Sequence, residues 1–213
     1  MSHFVGLCFG DDWANQLDYY YEGREVEDYI KYTKQEAITR AKESHGRNYE
    51  YALKEAEKDK IAPDMLKQLN EIIDKGMCIS DEVAWEMVKD WGYKIDEEGN
   101  LLSTYNPDSK WDWYSIGGRW GGFLVLKERD SEGEIIETDE ALVGEVDWDY
   151  MLEHRFPPFC YIDEDGEWFE KGEMGWWGVA FDEQPEDTWL NQFKDYLNEV
   201  DSDCLVTVID FHI

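Results

Sequence analysis

Basic residues are scarce in this chain, which has 20 Lys and Arg against 51 Asp and Glu and a formal net charge of −31. Binding to nucleic-acid phosphates requires a Lys/Arg surface, so this balance argues against direct nucleic-acid binding. For the same reason, the chain is not expected to bind an anionic membrane surface. No apolar run approaches the roughly 18 residues of a membrane span, and no basic and apolar leader opens the sequence. We therefore expect neither a membrane span nor a signal peptide.

Cysteine and histidine are also sparse and scattered. The four cysteines form no C-x-x-C pair, which favours a reduced, cytoplasmic protein. The four histidines lack zinc-like spacing, and there is neither a G-x-S-x-G motif nor a P-loop. The acidic loop at Asp163 superficially resembles a calcium loop, but Tyr161 stands where that pattern needs an acid or amide. No motif therefore predicts a catalytic residue, a metal or a cofactor.

The chain nevertheless has enough apolar residues to fold, with 42% hydrophobic and 15% aromatic residues. Its charge is uneven, since residues 129–213 hold 25 acids and 4 bases, a net −21. Crowded like charges destabilise the compact state. This concentration indicates either a functional acidic surface or the general acidity of a soluble protein.

The pattern along the chain predicts a single α+β domain over 1–213, with a mainly helical part at 1–92 and an acidic, hairpin-rich part at 93–213. Apolar runs at 3–9 and 204–211 predict two central strands of a mostly antiparallel sheet. Helices within 33–91 and at 186–200 are expected to cover one face of that sheet. Their starts are marked by a capping box at Thr33, by Pro63 and by Ser80.

Three similar turns predict hairpins within 93–170. Each has an aspartate followed three residues later by glycine: Asp96–Asn100, Asp130–Glu134 and Asp163–Glu167. Aspartate closes such turns with its side chain, and glycine supplies a positive φ.

The most distinctive stretch is residues 105–122, called here the Trp/Gly segment. It combines three Trp, two Tyr, four Gly and one Arg in 18 residues. Arginine between glycine pairs can clamp a carboxylate or phosphate, and the aromatics can stack on a ring. The alternative is a structural corner in which the arginine pairs with an acid of the chain. The candidate binding residues are Trp111, Trp113, Tyr114, Gly117, Gly118, Arg119 and Trp120.

This segment carries a resemblance. The run Asn106-Pro…Lys110-Trp-Asp-Trp-Tyr…Ile-Gly-Gly-Arg-Trp120, with elements at Gly166–Trp176 and Val208–Ile213, resembles a signature of uncharacterised phage, prophage and bacterial proteins. The resemblance covers about the last half of the chain and brings no assigned activity. It implies a phage or mobile-element setting and, for a phage-encoded protein, the host cytoplasm.

Three functions stay open. In its setting and charge the chain resembles acidic anti-CRISPR and anti-restriction proteins, so it is predicted to be an inhibitor that presents carboxylates to a basic nuclease or CRISPR effector. The alternatives are a nucleotide-like ligand bound by the Trp/Gly segment, and a hydrolase with paired carboxylates beside that segment. The oligomeric state is not predicted. The acids predicted to face a partner are Asp163, Glu164, Asp165, Asp182, Glu183, Glu186 and Asp187.

Overall fold

The computed structural model describes residues 2–58, 61–175 and 178–213. It combines helices with mixed sheets, so the predicted α+β class is confirmed. Contacts divide the chain into two compact units, Met1–Glu25 with Tyr105–Ile213, and Val26–Thr104. The single domain over 1–213 stays a prediction. None of the helices in the described ranges is long and apolar enough to cross a membrane.

The first unit is built on a six-stranded sheet whose centre is formed by β1 (His3–Phe9) and β13 (Leu205–His212). These strands pair antiparallel, with His3 opposite His212, so the prediction of two central terminal strands is confirmed. One pairing was not predicted: the strand at residues 160–162 runs parallel to β1. The other elements of this unit are α1 (Trp13–Asp18), β5 (Trp113–Ile116), β6 (Leu124–Arg129), β7 (Ile135–Thr138), β8 (Glu140–Leu142), α5 (Trp148–His154), β9 (Cys160–Ile162), β10 (Trp168–Glu170), β11 (Glu173–Met174), β12 (Ala180–Phe181) and α6 (Glu186–Glu199).

The two faces of this sheet bury different clusters, because successive side chains of a strand point to opposite faces. Val5 and Leu7 of β1 pack on the face covered by α6, where Trp189 and Phe193 are fully buried. Alternation in β13 places Val206 and Val208 in the same cluster. Phe4, Cys8, Ile209 and Phe211 belong to the cluster on the other face. Burial of each such side chain contributes about 1.5–3 kcal/mol.

The second unit contains β2 (Tyr29–Tyr32), α2 (Lys34–Ala56), α3 (Pro63–Asp74), α4 (Asp81–Lys89), β3 (Lys94–Ile95) and β4 (Leu101–Ser103). The capping box at Thr33 is confirmed, since the Thr33 and Glu36 side chains each accept from the other residue's backbone N–H. The end of the predicted first helix, at about residue 60, falls on Asp59 and Lys60, which lie outside the described residues, as does Trp176 of the signature.

One placement within the predicted fold needs correction. The helices within 33–91 were expected to share a face of the main sheet with the helix at 186–200. Their buried side chains instead form a cluster of their own with Leu101 of β4, in the second unit. The physical reason is local: the short sheet β2–β4–β3 gives these helices an apolar surface that lies nearby in the sequence.

The three predicted turns adopt one conformation. In each turn the aspartate carboxylate accepts the backbone N–H four residues later, at 2.7 Å in Asp96, 2.9 Å in Asp130 and 2.8 Å in Asp163. The turns connect β3 to β4, β6 to β7, and β9 to β10. The three hairpins predicted within 93–170 are therefore confirmed.

The turn at Asp130 predicts that the stability of the fold depends on pH. Backbone N–H groups of Glu134 and Glu132 donate to its carboxylate and lower its pKa. A carboxyl group with a lowered native pKa stabilises the fold above its unfolded pKa, and this contribution is lost as the pH falls through the native pKa. Asp130→Ala should therefore lower the urea midpoint at pH 7, and the difference from wild type should shrink as the pH falls below about 4. A difference that grows on acidification would contradict this assignment.

Candidate functional site

The Trp/Gly segment contains one buried tryptophan, Trp111, and ends in an exposed turn. Trp111 is only 7% exposed, and its indole N–H donates to the carbonyl of Leu17 at 3.2 Å. Its ring stacks on Tyr21 at a centroid distance of 4.8 Å. Tyr114 packs edge-on against Trp111 at 5.0 Å. Trp111 and Tyr114 therefore pack as a structural corner of the fold, which is the alternative to a binding site.

Trp113 lies on β5, at one edge of the six-stranded sheet. Its side chain is 45% exposed and stacks on the imidazole of His212 at 4.9 Å. Trp113 therefore belongs to the edge of the sheet, and it is not among the described residues that line the pocket presented below.

The turn that follows β5 is held by two glycines and two carboxylates. Gly117 and Gly118 have φ of +64° and +51°, which side chains rarely adopt. A Cβ on Gly118 would lie 2.5 Å from Oδ2 of Asp210. The same carboxylate oxygen accepts the backbone N–H of Arg119 at 2.9 Å, and Asp139 accepts that of Gly122 at 2.6 Å. These contacts fix the backbone from which the arginine projects.

This turn forms one wall of a concave pocket of about 460 Å³, called here the arginine pocket. The walls are largely aromatic and the charged groups are cationic. The described lining residues are Arg119, Trp120, Gly121, Phe123, Tyr150, His154, Arg155 and Phe156. The volume is typical of a small-molecule site. Because no carboxylate is among these residues, the pocket does not supply the paired acids that the hydrolase hypothesis requires.

The two guanidinium groups of the arginine pocket differ in their contacts. Arg155 pairs with Glu137 and donates to the carbonyl of Gly122 at 3.3 Å, so its side chain is positioned by the protein. The side chain of Arg119 is exposed and has no hydrogen-bond or ion-pair partner among the described residues. The guanidinium group of Arg119 is therefore available to bind a planar anion.

Trp120 carries an unsatisfied polar group. Its indole nitrogen is buried and has no hydrogen-bond partner among the described residues. An unpaired buried donor costs about 1–3 kcal/mol, so such groups are uncommon in folded proteins. The ring packs edge-on against Phe156 at 5.4 Å. The unpaired donor therefore belongs to a residue that lines the arginine pocket.

No protein-family model, curated protein or solved structure matches this chain. The resemblance to phage proteins therefore stays a prediction. Among residues 2–58, 61–175 and 178–213, no three His, Cys, Asp or Glu side chains lie close enough to hold a metal ion together.

Six of the eight described residues that line the arginine pocket were not among the predicted binding residues. Tyr150 and His154 come from α5, and their rings stack at 4.4 Å. Arg155 and Phe156 follow that helix directly. One signal was present: Arg155 is one of only four bases between 129 and 213.

The predicted acidic residues do not form one cluster. Asp163, Glu164 and Asp165 lie in the turn between β9 and β10, beside the last turns of α6, where Tyr196 donates to Glu164 at 2.6 Å. Burial, together with this bond, raises the pKa of Tyr196. The remaining four lie at or just before the start of α6, and ten residues of helix separate Glu186 from Tyr196, about 15 Å. The two groups are therefore two patches, and the members of the second are Asp182, Glu183, Glu186 and Asp187.

Proposed function

We propose that this protein binds a nucleotide-like ligand, with an anionic group and a planar ring, in the arginine pocket. The observation that carries the proposal is the guanidinium of Arg119, which lies beside aromatic walls and has no partner among the described residues. Three nearby carboxylates are already engaged, since Asp139 and Asp210 accept backbone N–H groups and Glu137 pairs with Arg155. None of these three pairs with Arg119, which is available to an external anion.

Each part of such a ligand has a matching group. Arginine binds phosphate through two parallel N–H···O bonds, and a second guanidinium from Arg155 lies in the same pocket. Base–aromatic stacking contributes about 1–3 kcal/mol per base, and Tyr150 and Phe156 provide ring surfaces. Phe156 is 54% exposed, which is unusual for a phenylalanine. Bound against a base, this ring would lose contact with water.

A thermal-shift titration tests the proposal directly. Nucleoside monophosphates should raise the melting temperature in a saturable way, because a ligand of the native state stabilises it by mass action. Inorganic phosphate and the free nucleosides should each give a smaller shift at the same concentration, since each occupies only part of the pocket. A panel of purine and pyrimidine nucleotides that leaves the melting temperature unchanged would contradict the proposal.

Trp120→Phe separates ligand binding from stability. The substitution removes the unpaired indole N–H but also some ring volume, so we expect the unfolding free energy to change by less than about 1 kcal/mol. Nucleotide affinity should fall several-fold. Trp189→Phe is the matched control, because its indole N–H donates to the carbonyl of Pro158 at 2.8 Å. The control should cost about 1–3 kcal/mol in urea denaturation and leave the affinity unchanged; the reverse ranking of stabilities would contradict this reading of Trp120.

A second candidate is the predicted inhibitor of a basic partner, such as a host nuclease or CRISPR effector. The observation in its favour is the outer face of α6. Asp187, Asp195 and Glu199 are all exposed and lie within an arc of about 120° of the helix, with Lys194 as the single base of that helix. Such a row of carboxylates complements a cationic groove and promotes rapid association.

Salt dependence tests this second candidate. Binding to a basic nuclease should weaken steeply between low salt and about 0.5 M, because opposite surface charges are screened within a Debye length. The triple variant D187N/D195N/E199Q should weaken binding, whereas the same three changes at the exposed acids Asp64, Glu71 and Asp74 of α3 should have little effect. Equal losses in the two triple variants would exclude the face of α6 as the binding surface.

A further inference from the structure

A histidine–aspartate pair lies next to the arginine pocket, and its histidine has no part in the function proposed above. Nδ1 of His3 lies 2.9 Å from Oδ1 of Asp210. The aspartate side chain is 2% exposed and the histidine side chain 9%. An ionised carboxylate only accepts hydrogen bonds, so in the neutral imidazole Nδ1 carries the proton and Nε2 keeps a lone pair. This is the tautomer that a general base requires.

The sheet positions this pair. Alternation along β1 places His3 on the same face as Val5, and alternation along β13 places Asp210 and His212 on that same face. His3 and His212 are cross-strand partners, and their rings meet edge to face at 4.9 Å. Nδ1 of His212 lies 2.5 Å from a carboxylate oxygen of Asp112. Both imidazoles are thus held on rigid strands by carboxylates.

The His3 position opens onto a second cavity, of about 260 Å³. Trp120 and Phe156 line this cavity as well as the arginine pocket. Lys171 and Glu186 also line it and are its described charged residues besides His3. Asp210 links the two sites, because its second carboxylate oxygen accepts the backbone N–H of Arg119.

We propose that His3 is a general base for phosphodiester hydrolysis, with Asp210 as its positioning residue. The class of substrate rests on the proposed function. The substrate is the anionic, ring-bearing ligand of the arginine pocket with an added ester group that extends into the second cavity. Nε2 of His3 removes a proton from a water molecule while the water oxygen forms a bond to phosphorus. The P–O bond to the leaving group breaks, and its electron pair departs on the leaving oxygen. The proton on His3 then passes to that oxygen or to solvent.

The probe is thymidine 5′-(4-nitrophenyl phosphate), which carries a base, a phosphodiester and a chromogenic leaving group. The wild-type protein should release 4-nitrophenolate at a rate that rises with substrate and saturates. His3→Ala should lower kcat by about 10²–10⁴-fold, the usual contribution of a general base, with KM nearly unchanged. Added imidazole should restore activity to His3→Ala by at least about tenfold, a rescue that a purely structural histidine would not show. Arg119→Ala should instead raise KM.

Asp210→Asn and the pH profile provide the second line of evidence. The pH profile of the rate is measured for wild type and variant, and Asp210, His212, Lys171 and Glu186 are the titratable groups around His3. Asp210→Asn should lower kcat and change this profile, because an amide oxygen stabilises the protonated imidazole less than a carboxylate does. His3→Gln serves as the variant if His3→Ala fails to fold.

The outcomes separate the two proposals. Thymidine monophosphate binding without any release of nitrophenolate overturns the hydrolytic role and leaves the binding function standing. Release by His3→Ala and by His3→Gln at the wild-type rate also overturns it. If the wild-type protein neither binds thymidine monophosphate nor releases 4-nitrophenolate, both proposals are overturned.

Discussion

Gly118→Ala is expected to lower the free energy of unfolding by about 2–4 kcal/mol and to abolish ligand binding. The residue has a φ of +51°, where a side chain costs about 1–2 kcal/mol. The added methyl group would also lie 2.6 Å from the Cβ of Asp210, an atom fixed close to the backbone of β13. Forcing an extra carbon into such packing costs about 1–3 kcal/mol.

Gly133→Ala is the matched control for this prediction. Gly133 also has a positive φ, +84°, but a Cβ there would meet no atom within 4 Å. It should therefore lose only about 1–2 kcal/mol. Urea denaturation of both variants, followed by tryptophan fluorescence, gives the comparison. Equal losses in the two variants would mean that the contact between the turn and Asp210 is unimportant.

Arg119→Ala is expected to weaken nucleotide binding about 10–100-fold without changing stability. A hydrogen bond to a charged group contributes about 1.5–3 kcal/mol, and each 1.4 kcal/mol is a factor of ten in affinity. The folded protein should be unaffected, since this guanidinium has no partner among the described residues. Arg119→Lys should have intermediate affinity, because an ammonium group retains the charge but loses the bidentate geometry.

Arg47→Ala controls for charge in this comparison. It also removes one positive charge, at an exposed position of α2 in the second unit. Isothermal titration calorimetry of the four proteins should place wild type and Arg47→Ala together. If Arg47→Ala weakens binding as much as Arg119→Ala, nucleotide affinity depends on the net charge of the protein and not on the arginine pocket.

The fold could be predicted where the signal was local. The runs at 3–9 and 204–211 contain enough consecutive apolar residues to indicate buried strands, and both strands are central. The aspartate turns follow from the properties of two residue types, Asp and Gly. The parallel pairing of β1 with β9 had no local signal, because it joins segments about 150 residues apart.

The candidate site was predicted only in part, for a related reason. Sequence proximity placed Trp111 and Arg119 in one recognition segment, but the strand between them carries Trp111 into the core and leaves Arg119 exposed. The opposite wall of the pocket comes from α5, whose few residues gave no recognisable helical pattern. The pairing of His3 with Asp210 depends on strand register, which a single sequence does not specify across 207 residues.

Binding in the arginine pocket is tested most directly by the response of the tryptophan indole N–H resonances to a nucleoside monophosphate, followed by ¹H–¹⁵N NMR. Trp120→Phe assigns the resonance of Trp120 by its disappearance. We expect a saturable shift of the Trp120 signal, with the affinity that calorimetry gives. The signals of Trp111 and Trp189, whose N–H groups already donate to carbonyls, should stay in place. A nucleotide that binds while the Trp120 resonance does not move would contradict the assignment of the arginine pocket as the binding site.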